Sequence, residues 1–187
     1  MIAAAHVPAA RAACYHRGMH IRHLLIASVA AALLGGCSPT YNWRDYTSLD
    51  GAYRVLFPAK PDTHTRSIDL GGIRVDMTMT AAEVEGTTFA VGTAVAPDAA
   101  MAQATLPAMR SALLRNIGAT LKSTAAAPEP GLPLAVDATG TGTGGPVRLV
   151  GRFVAKGARV YQVIVVGKPN AMPPEQIDQF LSSFAPQ

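Results

Sequence analysis

Val147 to Val166, VRLVGRFVAKGARVYQVIVV, is the stretch that decides the fold. Lys156-Gly157 lies at its middle, and glycine adopts the left-handed backbone of a tight reversal without steric penalty. On either side run segments of strand length, Val147 to Ala155 and Arg159 to Val166, rich in β-branched and aromatic residues. Two antiparallel strands are expected. Upstream, Leu134 to Gly142 reads as a third strand joined through a glycine-rich hairpin. The three together predict an antiparallel meander.

Further from this centre the strand pattern repeats. Thr87 to Val95 follows the turn signal Glu85-Gly86, and Ile68 to Leu70 and Ile73 to Ala82 flank Gly71-Gly72. In the second of that pair Ile73, Val75, Met77 and Met79 alternate with Arg74, Asp76, Thr78 and Thr80, which predicts one buried and one solvated face. Ala52 to Phe57 is the first strand, ended by Pro58 and Pro61, which cannot donate to a ladder. Asp98 offers an N-cap for an Ala-rich helix running to Ile117, with Leu106, Met109, Leu113 and Ile117 on one stripe and Gly118 as its stop. Pro107 should kink this helix or mark its true start. Thr120 to Thr124 and a loop carrying Pro128, Pro130 and Pro133 lead back to the meander. Pro173 to Phe184 closes the chain as a second helix, amphipathic through Ile177, Phe180, Leu181 and Phe184. Strands, a helix, strands and a terminal helix predict an α+β fold, an antiparallel sheet with one mid-chain and one C-terminal helix packed against it.

The beginning of the chain has a different character. Leu24 to Leu34, LLIASVAAALL, is apolar throughout and follows His20, Arg22 and His23, the charged-then-greasy order of a secretory signal. A spanning helix needs about 20 apolar residues, so this run is too short to cross a bilayer. Leu34-Gly35-Gly36-Cys37 follows at once. That tetrad resembles the lipobox of bacterial lipoproteins, and the resemblance implies cleavage before Cys37, acylation of its thiol and anchorage to a membrane. Several acyl chains hold a protein at a bilayer where one binds only marginally. Ser38 stands where lipoproteins kept in the inner membrane commonly carry Asp, so the same resemblance implies the outer membrane, facing the periplasm. Met19 lies just ahead of the charged segment, and residues 1–36 are expected to be an upstream extension plus signal, with translation starting at Met19. Residues 37–50 then form a lipidated tether containing Tyr41, Trp43 and Tyr46, and residues 51–187 one domain.

Composition narrows the function classes. The chain is 49% apolar and 15% charged, the balance of a folded domain. Its net charge of +4 owes much to Arg11, Arg17 and Arg22, since all 12 Asp and Glu lie beyond Gly36. A nucleic-acid partner is therefore not expected, because such binders cluster positive charge on the folded surface. Cys14 and Cys37 are the only cysteines, which leaves the domain to stand on packing without a disulfide.

Three further pieces carry a second resemblance: YRVLFPAKP from Tyr53 to Pro61, GARVYQVIVVG from Gly157 to Gly167, and FLSSF from Phe180 to Phe184. Together they resemble small bacterial envelope domains similar to the PsbP and Mog1 fold, in order across most of the domain. Such folds serve as binding and assembly modules, so the resemblance implies a non-catalytic role without naming a ligand, and a protein or other component of the envelope is the expected partner. The alternative is a hydrolase acting on envelope material.

Gly140 to Gly145 satisfies G-x-G-x-x-G, but Pro146 and a strand follow where a phosphate-binding helix would start. His64 is the only histidine after the leader, so His-based triads and the usual metal sites lack a second imidazole. Asp69, Asp76, Glu83 and Glu85 are expected to be solvated unless two approach at glycosidase spacing. Tyr41, Trp43 and Tyr46 are expected to cap the edge of the core rather than stack on sugars or rest at a membrane. No catalytic, metal or cofactor set emerges. Arg148, Arg152 and Lys156 alternate onto one strand face as a basic ridge, a candidate for lipid phosphate or an acidic partner, with Asp137 opposite as a neutralising neighbour.

Overall fold

Strands β4 (Arg74–Val84) and β5 (Thr87–Val95) meet at Glu85 and Gly86, whose φ values of 50° and 75° give the paired left-handed turn that matches strand twist. The computed structural model describes residues 39–70, 72–119 and 132–187. The leader, Cys37, Ser38 and Thr120 to Thr124 lie outside the described residues. Strands β6 (Leu134–Gly142), β7 (Gly145–Lys156) and β8 (Arg159–Gly167) form the expected meander, with Gly157 at φ 57° in its second turn. With β3 (Asp62–Asp69) they build a six-stranded antiparallel sheet in the order β3-β4-β5-β8-β7-β6. The fold is α+β.

The central strands are covered on both faces, which explains why β5 and β8 read as nearly continuous apolar runs. Phe89 and Val91 of β5 share one face with Tyr161, Val163 and Val165 of β8, while Ala94 and Val160 belong to the other. Helix α1 (Ala99–Asn116) packs on β6, β7 and β8 across the second of these faces. Its Leu106, Met109 and Leu114 are buried with Leu149, Phe153 and Val160. Asp98 caps it, accepting from the Met101 amide at 2.7 Å, so the helix begins there and Pro107 lies within it. Leu113 is only half-buried, on the margin of the expected stripe.

The opposite face carries a second sheet. Strands β1 (Arg44–Ser48), β2 (Tyr53–Phe57) and the two-residue β9 (Ala185–Pro186) pair antiparallel, and α2 (Pro174–Ser183) packs beside them on β2, β7 and β8. Tyr53, Phe57, Phe180 and Phe184 meet Phe89 and Tyr161 there, in ring pairs 5.3–6.3 Å apart.

Two expectations are corrected. Residues 37–50 are not wholly a tether, because Arg44–Ser48 is hydrogen-bonded to β2 and the folded part starts before Asp50. Its mostly exposed residues gave no apolar alternation to reveal it. Likewise β3 begins at Asp62 rather than Ile68. Its sole partner is β4, and all of it except Ile68 is exposed, so backbone pairing and cross-strand threonine contacts hold it: Thr63 to Thr80 at 3.1 Å and Thr65 to Thr78 at 2.9 Å.

Candidate functional site

Arg148, Arg152 and Lys156 do alternate onto one face of β7, but each is engaged within the chain. Arg148 forms a two-pronged ion pair with Asp137 at 2.8 and 3.0 Å. The register sets Arg148 opposite Thr139, so Asp137 is its diagonal neighbour on β6. The guanidinium donates to this carboxylate and holds it below its usual range. Arg152 is half-buried and donates to the carbonyls of Leu181 and Phe184, at the C-terminal end of α2, with its guanidinium 5.8 Å from the Phe184 ring centre. A cation at that end satisfies orphan carbonyls and the helix dipole. Burial lowers its pKa. Lys156 donates to Pro186 at 3.0 Å and ties down β9. The ridge is thus largely spent on holding α2 and the chain's end to the sheet.

The other candidates are dispersed. His64 is exposed on β3, opposite Met79. Asp76 and Glu83 fall on opposite faces of β4, seven residues apart where the period is two. Glu85 lies in the turn, and Asp69 accepts the Gly72 amide at 2.7 Å. Among the described residues no three His, Cys, Asp or Glu side chains group at metal-binding spacing. The glycine run belongs to the β6–β7 hairpin. A Cβ on Gly140 would collide with the carbonyl of Ile117, so that glycine admits the end of α1 against β6. Tyr41 and Trp43 stack 6.2 Å apart and set their edges against Phe89, while Tyr46 abuts Phe57 at 5.5 Å. All three aromatics are half-buried, capping the core.

A cleft arises instead from how α1 is placed. The helix crosses the β6–β8 half of its face, and between it and the β3–β4 half lies a cavity of about 370 Å³. Ile68, Leu70 and Met77 line it from the sheet, and Met109 and Leu113 from the helix. Ala108 and Ala112 keep the helix side low. Arg66, Asp69, Arg115 and Asn116 bring polar groups to the same cleft.

Gln162 also lines it, although only 6% exposed. Its amide nitrogen donates to the Met79 sulfur at 3.1 Å. Gly92 makes room for both, since a Cβ there would stand 2.6 Å from the Met79 sulfur and from Gln162 Cγ. Chemically, the cleft offers apolar contact, guanidinium donors and one carboxylate, without a nucleophile paired to a base.

Sequence reasoning placed Met77 and Met109 on buried stripes but missed the cleft and its polar lining. The available signal was Gln162, a lone amide inside the apolar run VYQVIVV. Arg110 was also missed. It is 7% exposed on the inner side of α1, and its Nε and Nη1 have no hydrogen-bond partner. Comparison with family models, with curated proteins and with solved structures gives no match.

Proposed function

We propose that this chain is an envelope lipoprotein, held at the outer membrane through a lipid on Cys37, whose folded domain is a non-catalytic binding module working through the cleft beside α1. The carrying observation is the cleft itself: an apolar interior, guanidinium groups in its lining and no nucleophile–base pair. A volume of about 370 Å³ falls within the roughly 300–1,000 Å³ of small-ligand sites. The leader pattern ending at Cys37 supports the address, and the resemblance to PsbP- and Mog1-like domains supports a binding or assembly role, with an envelope protein as the wider partner. The internal engagement of Arg148, Arg152 and Lys156 turns attention from the ridge to the cleft.

Two measurements test this. Replacing Cys37 with Ser should move the protein from the membrane fraction to the soluble fraction. Continued tight association with normal processing would overturn the anchor. A photo-crosslinking residue at Ala112, inside the cleft, should capture a defined species in intact cells that the same residue at Thr65, on the opposite sheet face, does not. Equal capture at both positions would move the working surface elsewhere, and substrate turnover abolished by filling the cleft would make the protein an enzyme.

A further inference from the structure

We infer that the cleft takes a single-chain amphiphile with an anionic head, its chain against the methionine-lined interior and its head on Arg66 and Arg115; this rests on the cleft being the binding surface. Met77 lines the cleft from the sheet and Met109 from the helix, with Ile68, Leu70 and Leu113 also in the lining. Methionine is unbranched and polarizable, so it moulds to a flexible chain at small cost. At ~30 Å³ for each water-sized group, about 370 Å³ admits roughly a dozen such groups, the bulk of one acyl chain rather than two.

The charge argues for the head. Among the described residues Arg148 to Asp137 is the sole ion pair, so neither Arg66 nor Arg115 is neutralised by a carboxylate there. Against the one carboxylate in the cleft, Asp69, the two guanidiniums leave the lining with a net positive charge. Guanidinium groups present a planar fork suited to carboxylate and phosphate oxygens, and because Arg66 and Arg115 are both exposed, their pull on an anionic head should be screened by salt.

Gln162 is the independent observation. It is a polar side chain more than nine-tenths buried in the cleft's lining, and its only hydrogen bond among the described residues is to a sulfur, a weak acceptor. An amide rather than an apolar residue at this position gives the cleft wall a polar group beside its apolar contacts. Its presence in the lining fits a cleft that takes a ligand with a polar end.

The test uses the full chain carrying Cys37→Ser, which removes the anchor, in detergent-free buffer. Titration calorimetry with laurate and with dodecyl phosphate separates a carboxylate head from a phosphate head. Dodecyltrimethylammonium supplies the same chain with the opposite charge. At least one anionic probe should bind at one per chain and the cationic probe at least ten-fold more weakly. Arg66→Gln with Arg115→Gln should weaken the anionic probe ten-fold or more, and salt should do likewise. Ala112→Trp should abolish binding by filling the cleft, with Ala108→Trp, at an exposed position, as a second plug should the first fail to fold. Failure of both anionic probes, equal affinity for the cationic probe, or undiminished binding in a folded plug variant would overturn the inference. If both anionic probes fail while the residue at Ala112 still captures a species in cells, the amphiphile is wrong and the cleft remains the binding surface.

Discussion

Tyr53 shows how one side chain can couple this fold to pH. Its ring packs against those of Tyr161 and Phe184, 1% exposed, and burial pushes its hydroxyl up to about 12. A tyrosine whose folded pKa exceeds its unfolded value stabilises the fold below that unfolded value, about 10. That contribution is lost as pH rises from about 10 to about 12, because the unfolded chain ionises first. The urea midpoint should therefore fall between pH 9 and pH 11.5, and Tyr53→Phe should reduce the fall. Tyr161 is shifted in the same direction by its own burial, so part of the fall should persist in the variant. An unchanged pH profile in Tyr53→Phe would show that its hydroxyl ionises without leaving the fold. Gly140 and Gly92 work through space at the same scale: one lets α1 end against β6, the other lets Gln162 and Met79 meet across β5.

Helix α2 is held less by its own sequence than by what receives it. It starts at Pro174 without a side-chain cap, and Ser183 donates back to Phe180 while accepting the Leu56 amide at 3.0 Å. Phe180 is fully buried against Phe57 and Phe89, each 5.5 Å away ring to ring. Phe180→Ala should cost about 3–5 kcal/mol in chemical denaturation, the range for deleting a buried aromatic side chain. A loss below about 1 kcal/mol would mean that the cavity collapses or that the helix face is not buried in solution. The amphipathic spacing of Ile177, Phe180, Leu181 and Phe184 was legible in the sequence. Arg152 as the group that closes its C-terminal end was not, because it reaches α2 from β7, about thirty residues earlier. The same holds for α1: its cap at Asp98 is local and readable, whereas the cleft beside it depends on which half of the sheet it covers.

At the scale of the molecule, two cores share one sheet, and β5 and β8 contribute to both. Strain or loss on one face should then be felt on the other, because the central strands cannot unpair for one core alone. Trp43 is the only tryptophan and packs on the Phe89 side. Leu106 is fully buried on the α1 side. Leu106→Ala should lower stability by about 2–5 kcal/mol. Its shift in urea midpoint should be the same by Trp43 fluorescence as by far-ultraviolet circular dichroism. Separate transitions would show that the two faces unfold independently.

By itself the sequence determined the elements whose signals are local. Period-two alternation marked β4, glycine turns marked the meander, Asp98 marked the start of α1, and apolar spacing marked α2. It also placed the leader pattern before Cys37, which rests on short-range order of charged, apolar and small residues. The tertiary structure alone decided that Arg44–Ser48 and Asp62 to Ser67 are strands, since exposed edge segments are held by their partners' backbone and leave no apolar signature. It alone decided the fate of the basic ridge, because alternation can place three cations on one face but cannot show which carbonyls and carboxylate they will meet. The cleft belongs to the same class. Arg66, Met77, Met109, Arg115 and Gln162 come from one helix and three strands, and only the packing of α1 over half a sheet brings them to one place.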